Sequence, residues 1–406
     1  MNAPGLVWDN IRHILSIALK NYSTFIKGLK MKKLSFCSLA CAIFVAALFS
    51  LVACNSVSEN KKQESHELSI ITTIYPEYAW AKEILGTRTD SVNLTLLIKN
   101  GIDLHSYKPT AHDVAKIASA DMVIYVGGES DEWIKDALTA SPKQGRIEFN
   151  LMEALGDRVK AEEIVEGMQA EEEHHHEHAE AHEADEHEHH AEKHEHHDRE
   201  HAEAHEEHEH HDEHAEAHEH HHHDEEVEND EHVWLSLKNA EILVKKIAEE
   251  LSKIDAAHAS AYKQNTEAYI AQIQSLDAEY RTAVESAARK TVLFGDRFPF
   301  RYLVDDYGIK YYAAFVGCSA ESEASFETIA FLAGKMDSES LSSIFIIENG
   351  NDKIAKAVLA ASKKSKNAQI LTINSMQSIT EEQINNGINY LSLMRANLEN
   401  LKKALN

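Results

Sequence analysis

The stretch ELSIITTIYPEYAWAKEILG, Glu67 to Gly86, sets a cluster of β-branched residues directly ahead of a segment with helical spacing. Branching at Cβ suits the pleated surface of a strand, which assigns ELSIITTIYP to a strand. EYAWAKEILG spaces its apolar residues as a helix and stops on Gly86. The same order repeats outward. SVNLTLLIKNG reads as a second strand, Lys108-Pro109-Thr110 as a turn, and Thr110 to Ala120 as a helix in which Thr110 and Asp113 form a capping box. ADMVIYVGG follows as a short buried strand and ESDEWIKDALTAS as a helix. Strands alternating with helices predict a parallel sheet covered on both faces. The first α/β lobe is therefore expected over residues 68–235.

Between Leu235 and Arg289 there is neither Pro nor Gly. Apolar residues recur at helical spacing in two runs, Ile242, Leu243, Ile247, Leu251 and Ile254, then Tyr262, Tyr269, Ile273, Leu276, Tyr280 and Val284. So much helix exceeds one globular element, and residues 236–290 are read as a helical region that includes a rigid bridge between lobes. Beyond it, TVLFGD, IKYYAAFVG, LSSIFIIENG and AQILTIN read as strands separated by helices such as ASFETIAFLAGKMDS and DKIAKAVLAASK. The chain closes on one long helix, QINNGINYLSLMRANLENLKKAL. Residues 291–406 thus form a second α/β lobe, and it contains no His.

The amino-terminal part is of another kind. MKK at Met31–Lys33 precedes the apolar run LSFCSLACAIFVAALFSLVAC, the pattern of a signal peptide over 31–53. Its ending, Leu51-Val52-Ala53-Cys54, resembles a bacterial lipobox, which implies cleavage before Cys54 and a lipid on its thiol. Residues 1–30 are expected to be a non-native upstream extension with Met31 the start, and the polar residues 54–67 a flexible tether. Removal of the leader would leave Cys318 as the one free thiol, so no internal disulfide is expected.

The formal net charge is -28, yet residues 161–231 alone hold 30 acidic residues against Lys193 and Arg199. The rest of the chain is close to neutral, and without a basic face there is no nucleic-acid ligand. Within that segment His, Glu, Asp and Ala account for almost everything from His174 to His223. HAEAHE occurs at His178, His201 and His214, setting His178 with His182, His201 with His205 and His214 with His218 four residues apart. His174, His175, His176, His220, His221, His222 and His223 add further imidazoles. Such tracts bind transition metals by composition, while Ala alone cannot offset backbone ordering. A disordered loop over 161–231 with many weak metal sites is the expectation. His218-Glu219-His220-His221-His222 matches a zinc-protease pattern, as a tract this rich in His will by chance.

Elsewhere past the leader only His66, His105, His112, His232 and His258 remain. His66 falls in the tether, His258 on the bridging helix and His112 in a first helical turn, all read as surface positions. His105 and His232 sit where a strand or loop meets a helix, the place at which α/β proteins bind ligands. GIDLHSYKPT, Gly101 to Thr110, resembles the G-x-D-P-H-x-Y-x-P-T segment of the periplasmic or lipid-anchored binding proteins of zinc and manganese ABC importers. EHVWLS, Glu231 to Ser236, is similar to the D-P-H-x-W-L-S-P of the same family, whose zinc members carry an acidic His-rich insert just before it.

The resemblance covers essentially all of the chain past the leader. It implies two α/β lobes joined by a long helix, a metal site in the cleft, and no enzymatic activity. It places the first two metal ligands on His105 and His232. The family's third ligand falls by strict spacing on Arg297, which cannot coordinate a cation, so Asp296 beside it becomes the expected donor. The fourth falls on Asp352, with Glu348 as its substitute. Asp352 also suits a helix N-terminus, and Cys318 is either a soft donor or a small half-buried residue. Four protein donors would leave no open position for a water, which suits binding. Neutral imidazoles would make affinity fall as the pH drops through roughly 6 to 7. Two His with two carboxylates suit Mn2+, whereas the His tract suits Zn2+, and Zn2+ is preferred as the transported ligand. The implied partners are an ABC permease and its ATPase subunit. The protein is expected as a monomer, lipid-anchored at the outer face of the bacterial cell membrane.

Overall fold

The β-branched cluster forms β1, Ser69–Thr72, and α1 runs Tyr75–Leu85 behind it. Gly86 ends α1 at φ 55, where a Cβ would stand 2.5 Å from Asn265 Nδ2. The first lobe continues through β2 (Asn93–Leu96), α2 (Ala111–Ser119), β3 (Met122–Tyr125), α3 (Trp133–Ala140), β4 (Ile147–Asn150) and α4 (Leu151–Leu155). Then come α5 (Leu237–Ile254) and α6 (Ala259–Glu285). The second lobe holds β5 (Thr291–Phe298), α7 (Arg301–Tyr307), β6 (Lys310–Val316), α8 (Phe326–Ser338), β7 (Ser343–Ile347), α9 (Lys353–Ala361), β8 (Gln369–Ile373), α10 (Glu381–Asn385) and α11 (Tyr390–Leu405). The computed structural model describes residues 67–169, 228–319 and 323–406. The leader, Cys54, nearly all of the tether, and every His from His174 to His223 lie outside the described residues.

Each lobe is a four-stranded sheet, ordered β2-β1-β3-β4 in the first and β6-β5-β7-β8 in the second, and every pairing is parallel. This is the expected α/β class. One strand had no counterpart in the sequence reading: β4, only four residues long, paired with β3 from Met122 opposite Ile147. The Thr110 cap is as expected, its hydroxyl 3.3 Å from the amide of Asp113, whose carboxylate accepts from the Thr110 amide at 3.1 Å.

The helical region breaks where no Pro or Gly announces it. Asp255 leaves the helix at φ -130, and its carboxylate takes Tyr262 Oη at 2.6 Å and His258 Nδ1 at 2.8 Å. These local bonds compete with the helical ladder and stop α5. His258 is therefore a partner at this corner and not a free surface side chain. The terminal helix also divides, because Gly387 takes φ 84 and Asn389 caps α11 through a 2.8 Å bond from the Ser392 amide.

Spanning 27 residues, or about 40 Å at 1.5 Å per residue, α6 touches both lobes. Asn265 Nδ2 donates to Ile84 O at 2.9 Å in the first, and Tyr280 Oη to Met394 O at 2.6 Å in the second. A continuous apolar core runs through both lobes, with the Trp80 ring edge-on to Tyr390 at 5.3 Å. Trp234 is wholly buried and donates from Nε1 to Ser375 O at 2.8 Å, while Tyr390 Oη donates to Trp234 O at 2.7 Å.

The expected loop over 161–231 is ordered at both ends. Ala161 pairs antiparallel with Asn229, and Gln169 bridges to Phe315 on β6 with its amide donating to Ala314 O at 2.9 Å. Residues 160–169 thus form a strap from the first lobe along the open edge of the second sheet. Arg301 and Tyr311 both meet Glu163 there.

Replacing Trp234 by Phe keeps most of the packing but leaves Ser375 O buried without its donor. The expected cost is about 1–3 kcal/mol of unfolding free energy, read from denaturant melts of the variant and the parent protein.

Candidate metal centre

His105 lies in a 3₁₀ turn, Leu104–Ser106, that follows β2. Asp103 starts the turn by accepting from the His105 amide at 3.0 Å. His232 directly precedes a second such turn, Val233–Leu235, which leads into α5. Asp230 accepts from its amide at 2.8 Å. Both rings enter the crevice at the carboxyl ends of the strands, where open parallel sheets bind ligands.

The Nε2 atoms of the two rings stand 3.2 Å apart. Two nitrogens bound tetrahedrally at 2.0–2.1 Å from one zinc would be about 3.3 Å apart. The opposite nitrogens are engaged, His232 Nδ1 with Asp230 Oδ1 at 3.0 Å and His105 Nδ1 with Ser130 Oγ at 2.6 Å. A proton on each Nδ1 leaves both Nε2 lone pairs facing the same small space. His232 is completely buried. Burial, then the facing His232 ring, pulls His105 well below the usual imidazole range. A lowered value keeps His105 neutral down to more acidic solution, so it does not supply the loss of affinity expected between pH 6 and 7.

The surroundings are negative. Asp230 is buried beside His232, and Glu231 is only 2% exposed. Glu231 Oε1 accepts from the Ser130 amide at 2.8 Å, whereas Oε2 has no hydrogen-bond partner among the described residues and stands 4.0 Å from His105 Nδ1. A buried carboxylate oxygen in that position is costly unless a cation is nearby. Behind it, Asp131 accepts from the Val126 and Gly127 amides at 2.7 and 2.8 Å, which fixes the turn carrying Ser130. Its carboxyl is pushed up to about 7, by burial first and by Glu231 among the facing charges. The donor chemistry and the charge both fit a divalent transition metal.

The second lobe differs from expectation. Asp296 turns away, its Oδ1 accepting from the Arg297 amide at 2.9 Å and its Oδ2 from the Ile347 amide at 3.2 Å. Glu348 is occupied by Ser375, at 2.6 Å from its amide and 2.7 Å from its hydroxyl. Asp352 is half-buried at the start of α9 and pairs with Lys356 at 2.7 Å. Asp296, Glu348 and Asp352 therefore do not converge on the histidine pair in this structure: the grouping there, among the described residues, is His105, His232 and Cys318. Arg297, where the sequence resemblance would place the third ligand, forms an ion pair with Asp103 and ties β5 to the His105 turn. Burial pushes Asp103 up, but Arg297 and then His105 outweigh it and hold the carboxyl below its ordinary value.

Gln377 was missed. Its Nε2 lies 2.7 Å from His105 Nε2 and 2.7 Å from His232 Nε2, so one amide hydrogen can go to each lone pair. Without a cation, Gln377 fills the place where one would sit. The available signal was position, four residues past the end of β8 at the carboxyl edge of a parallel sheet.

A model of the family "Zinc-uptake complex component A periplasmic" matches residues 70–404. The chain belongs to this family. It is 31% identical over 376 residues to the zinc-binding lipoprotein AdcA of Streptococcus pneumoniae strain R6, covering 92% of this chain but 61% of that protein. With the high-affinity zinc uptake system protein ZnuA of Bacillus subtilis strain 168 it shares 29% identity over 364 residues, 89% of this chain and 96% of the relative. Among solved structures, the Zn(II)-bound ZnuA-like domain of S. pneumoniae AdcA superposes with a TM-score of 0.57 at 26% identity, covering 84% of this chain and 99% of that one.

Two substitutions separate the observed site from the expected one. Asp352→Ala should leave zinc affinity unchanged in competition with a chromophoric chelator, because among the described residues its carboxylate pairs with Lys356 and stands apart from the two rings. Gln377→Glu should tighten zinc by about tenfold or more, since it puts an anionic oxygen against both imidazoles.

Proposed function

We propose that this protein is an extracytoplasmic carrier that captures zinc at His105 and His232 and delivers it to an ABC permease for import. The observation that supports this most is the pair of convergent Nε2 atoms 3.2 Å apart, each fixed through its Nδ1 and surrounded by buried carboxylates. Membership of a zinc-uptake family and the zinc-binding names of its relatives agree with it. Imidazole donors and the His-rich segment favour zinc over manganese, which prefers oxygen.

In this reading Cys54 carries the lipid that holds the protein at the outer face of the cell membrane, and the partners are the permease and its ATPase. The His-rich segment collects zinc in weak, exchanging sites. The chain on either side of that segment supports this reading: Asn229 and Asp230 lead directly to His232, and the strap 160–169 lies against Cys318 through Glu162. A carrier, unlike a hydrolase, needs no activated water at the metal.

Zinc titration of the protein with residues 170–227 removed checks this reading. One tight site should survive the deletion, and His105→Ala or His232→Ala should weaken it by on the order of 100-fold or more. Loss of all tight binding with the deletion would make the His-rich segment the site and remove the carrier reading.

A further inference from the structure

Immediately after β6 the chain reads Gly317-Cys318. A Cβ on Gly317 would come within 3.0 Å of both His232 Cε1 and Phe298 O. Glycine therefore lets this loop of the second lobe close against the His232 ring. The approach brings Cys318 Sγ into a set with one ring nitrogen of His105 and one of His232, all within 4.8 Å of one another. A thiolate and an imidazole on one tetrahedral zinc are about 3.6 Å apart, from bonds of about 2.3 and 2.0–2.1 Å. The set is therefore wider than a bound site by at most about 1.2 Å.

Each member of the set stands beside a carboxylate. His232 has Asp230, His105 has Glu231, and Cys318 has Glu162, which accepts from its amide at 3.2 Å. Burial, then Glu162, Glu231 and Asp230, pushes the Cys318 thiol far up, so without a metal it is protonated and inert. Independently, Glu231 Oε2 is buried with no hydrogen-bond partner among the described residues, 4.0 Å from His105 Nδ1, so the enclosure holds negative charge that a bound cation would offset.

We propose that Cys318 is the second-lobe zinc ligand, completing with His105 and His232 a His2Cys site. The proposal rests on the zinc-carrier reading and deepens it. On binding, Sγ forms the bond to zinc, and its proton passes to the Glu162 carboxylate and then to water, with no change in oxidation state. Zinc then joins the lobes, imidazoles from one and thiolate from the other, in the role the sequence reading gave to Asp296 and Asp352. A soft sulfur donor also discriminates against manganese.

Cobalt reports this directly, because a thiolate bound to Co2+ gives a near-ultraviolet charge-transfer band separate from the visible bands of tetrahedral cobalt. One equivalent of Co2+ added to the full chain should give both. The charge-transfer band should vanish in Cys318→Ser while the visible bands remain, and one equivalent of Zn2+ should abolish both in the parent protein. Cys318→Ala should lose zinc affinity by at least about tenfold, and Cys318→Asp should recover most of it without the band. Visible bands with no charge-transfer band, or a band unchanged in Cys318→Ser, would overturn the Cys318 assignment and leave the carrier reading standing. Visible bands insensitive to His105→Ala would overturn both.

Discussion

Two imidazoles whose Nε2 atoms point at one another define this molecule. Unshared electron pairs 3.2 Å apart and out of water repel each other and lack donors, an arrangement that persists only if something positive lies between them. In the protein as described here, the Gln377 amide supplies the hydrogens, and in the loaded protein a cation would. Everything around the pair serves to hold it: Asp230 and Ser130 fix the tautomers, Asp103 and Asp230 start the turns that aim the rings, and Arg297 secures the Asp103 turn from the opposite lobe.

The fold supplies a rigid frame for a small opening. A core continuous between lobes, α6 packed on both, and Trp234 joined to Ser375 and Tyr390 leave little room for hinge motion. The second lobe meets the rings through Gln377 after β8 and the Gly317-Cys318 loop after β6. Exchange of an amide for a metal there requires side-chain rotation and a slight shift of loops, which fits a carrier that must both close over its cargo and give it up.

Much of the fold was legible because period and punctuation agreed. The β-branched cluster at Ile70 to Ile74, the Thr110 cap and the strands through Phe294, Phe315 and Ile347 all formed where residue type places them. β4 escaped because its alternation, Ile147-Glu148-Phe149-Asn150, is only four residues long, and the break at Asp255 because a hydrogen-bonding side chain, not Gly or Pro, stops the helix. His105 and His232 were readable because each sits inside a local motif. The second-lobe residues were not, since which of Asp296, Cys318, Glu348 or Gln377 meets the rings depends on how two sheets face each other across more than a hundred residues of chain. Asp296 and Glu348 instead satisfy backbone amides of their own lobe.

The central claim is that zinc sits between His105 and His232, and anomalous diffraction from crystals of the zinc-loaded protein tests it most directly. The account predicts one strong zinc peak about 2.0–2.1 Å from both Nε2 atoms, with the Gln377 amide displaced. Zinc bound instead in the pocket of Asp296 and Glu348, with the two rings still hydrogen-bonded to Gln377, would contradict it.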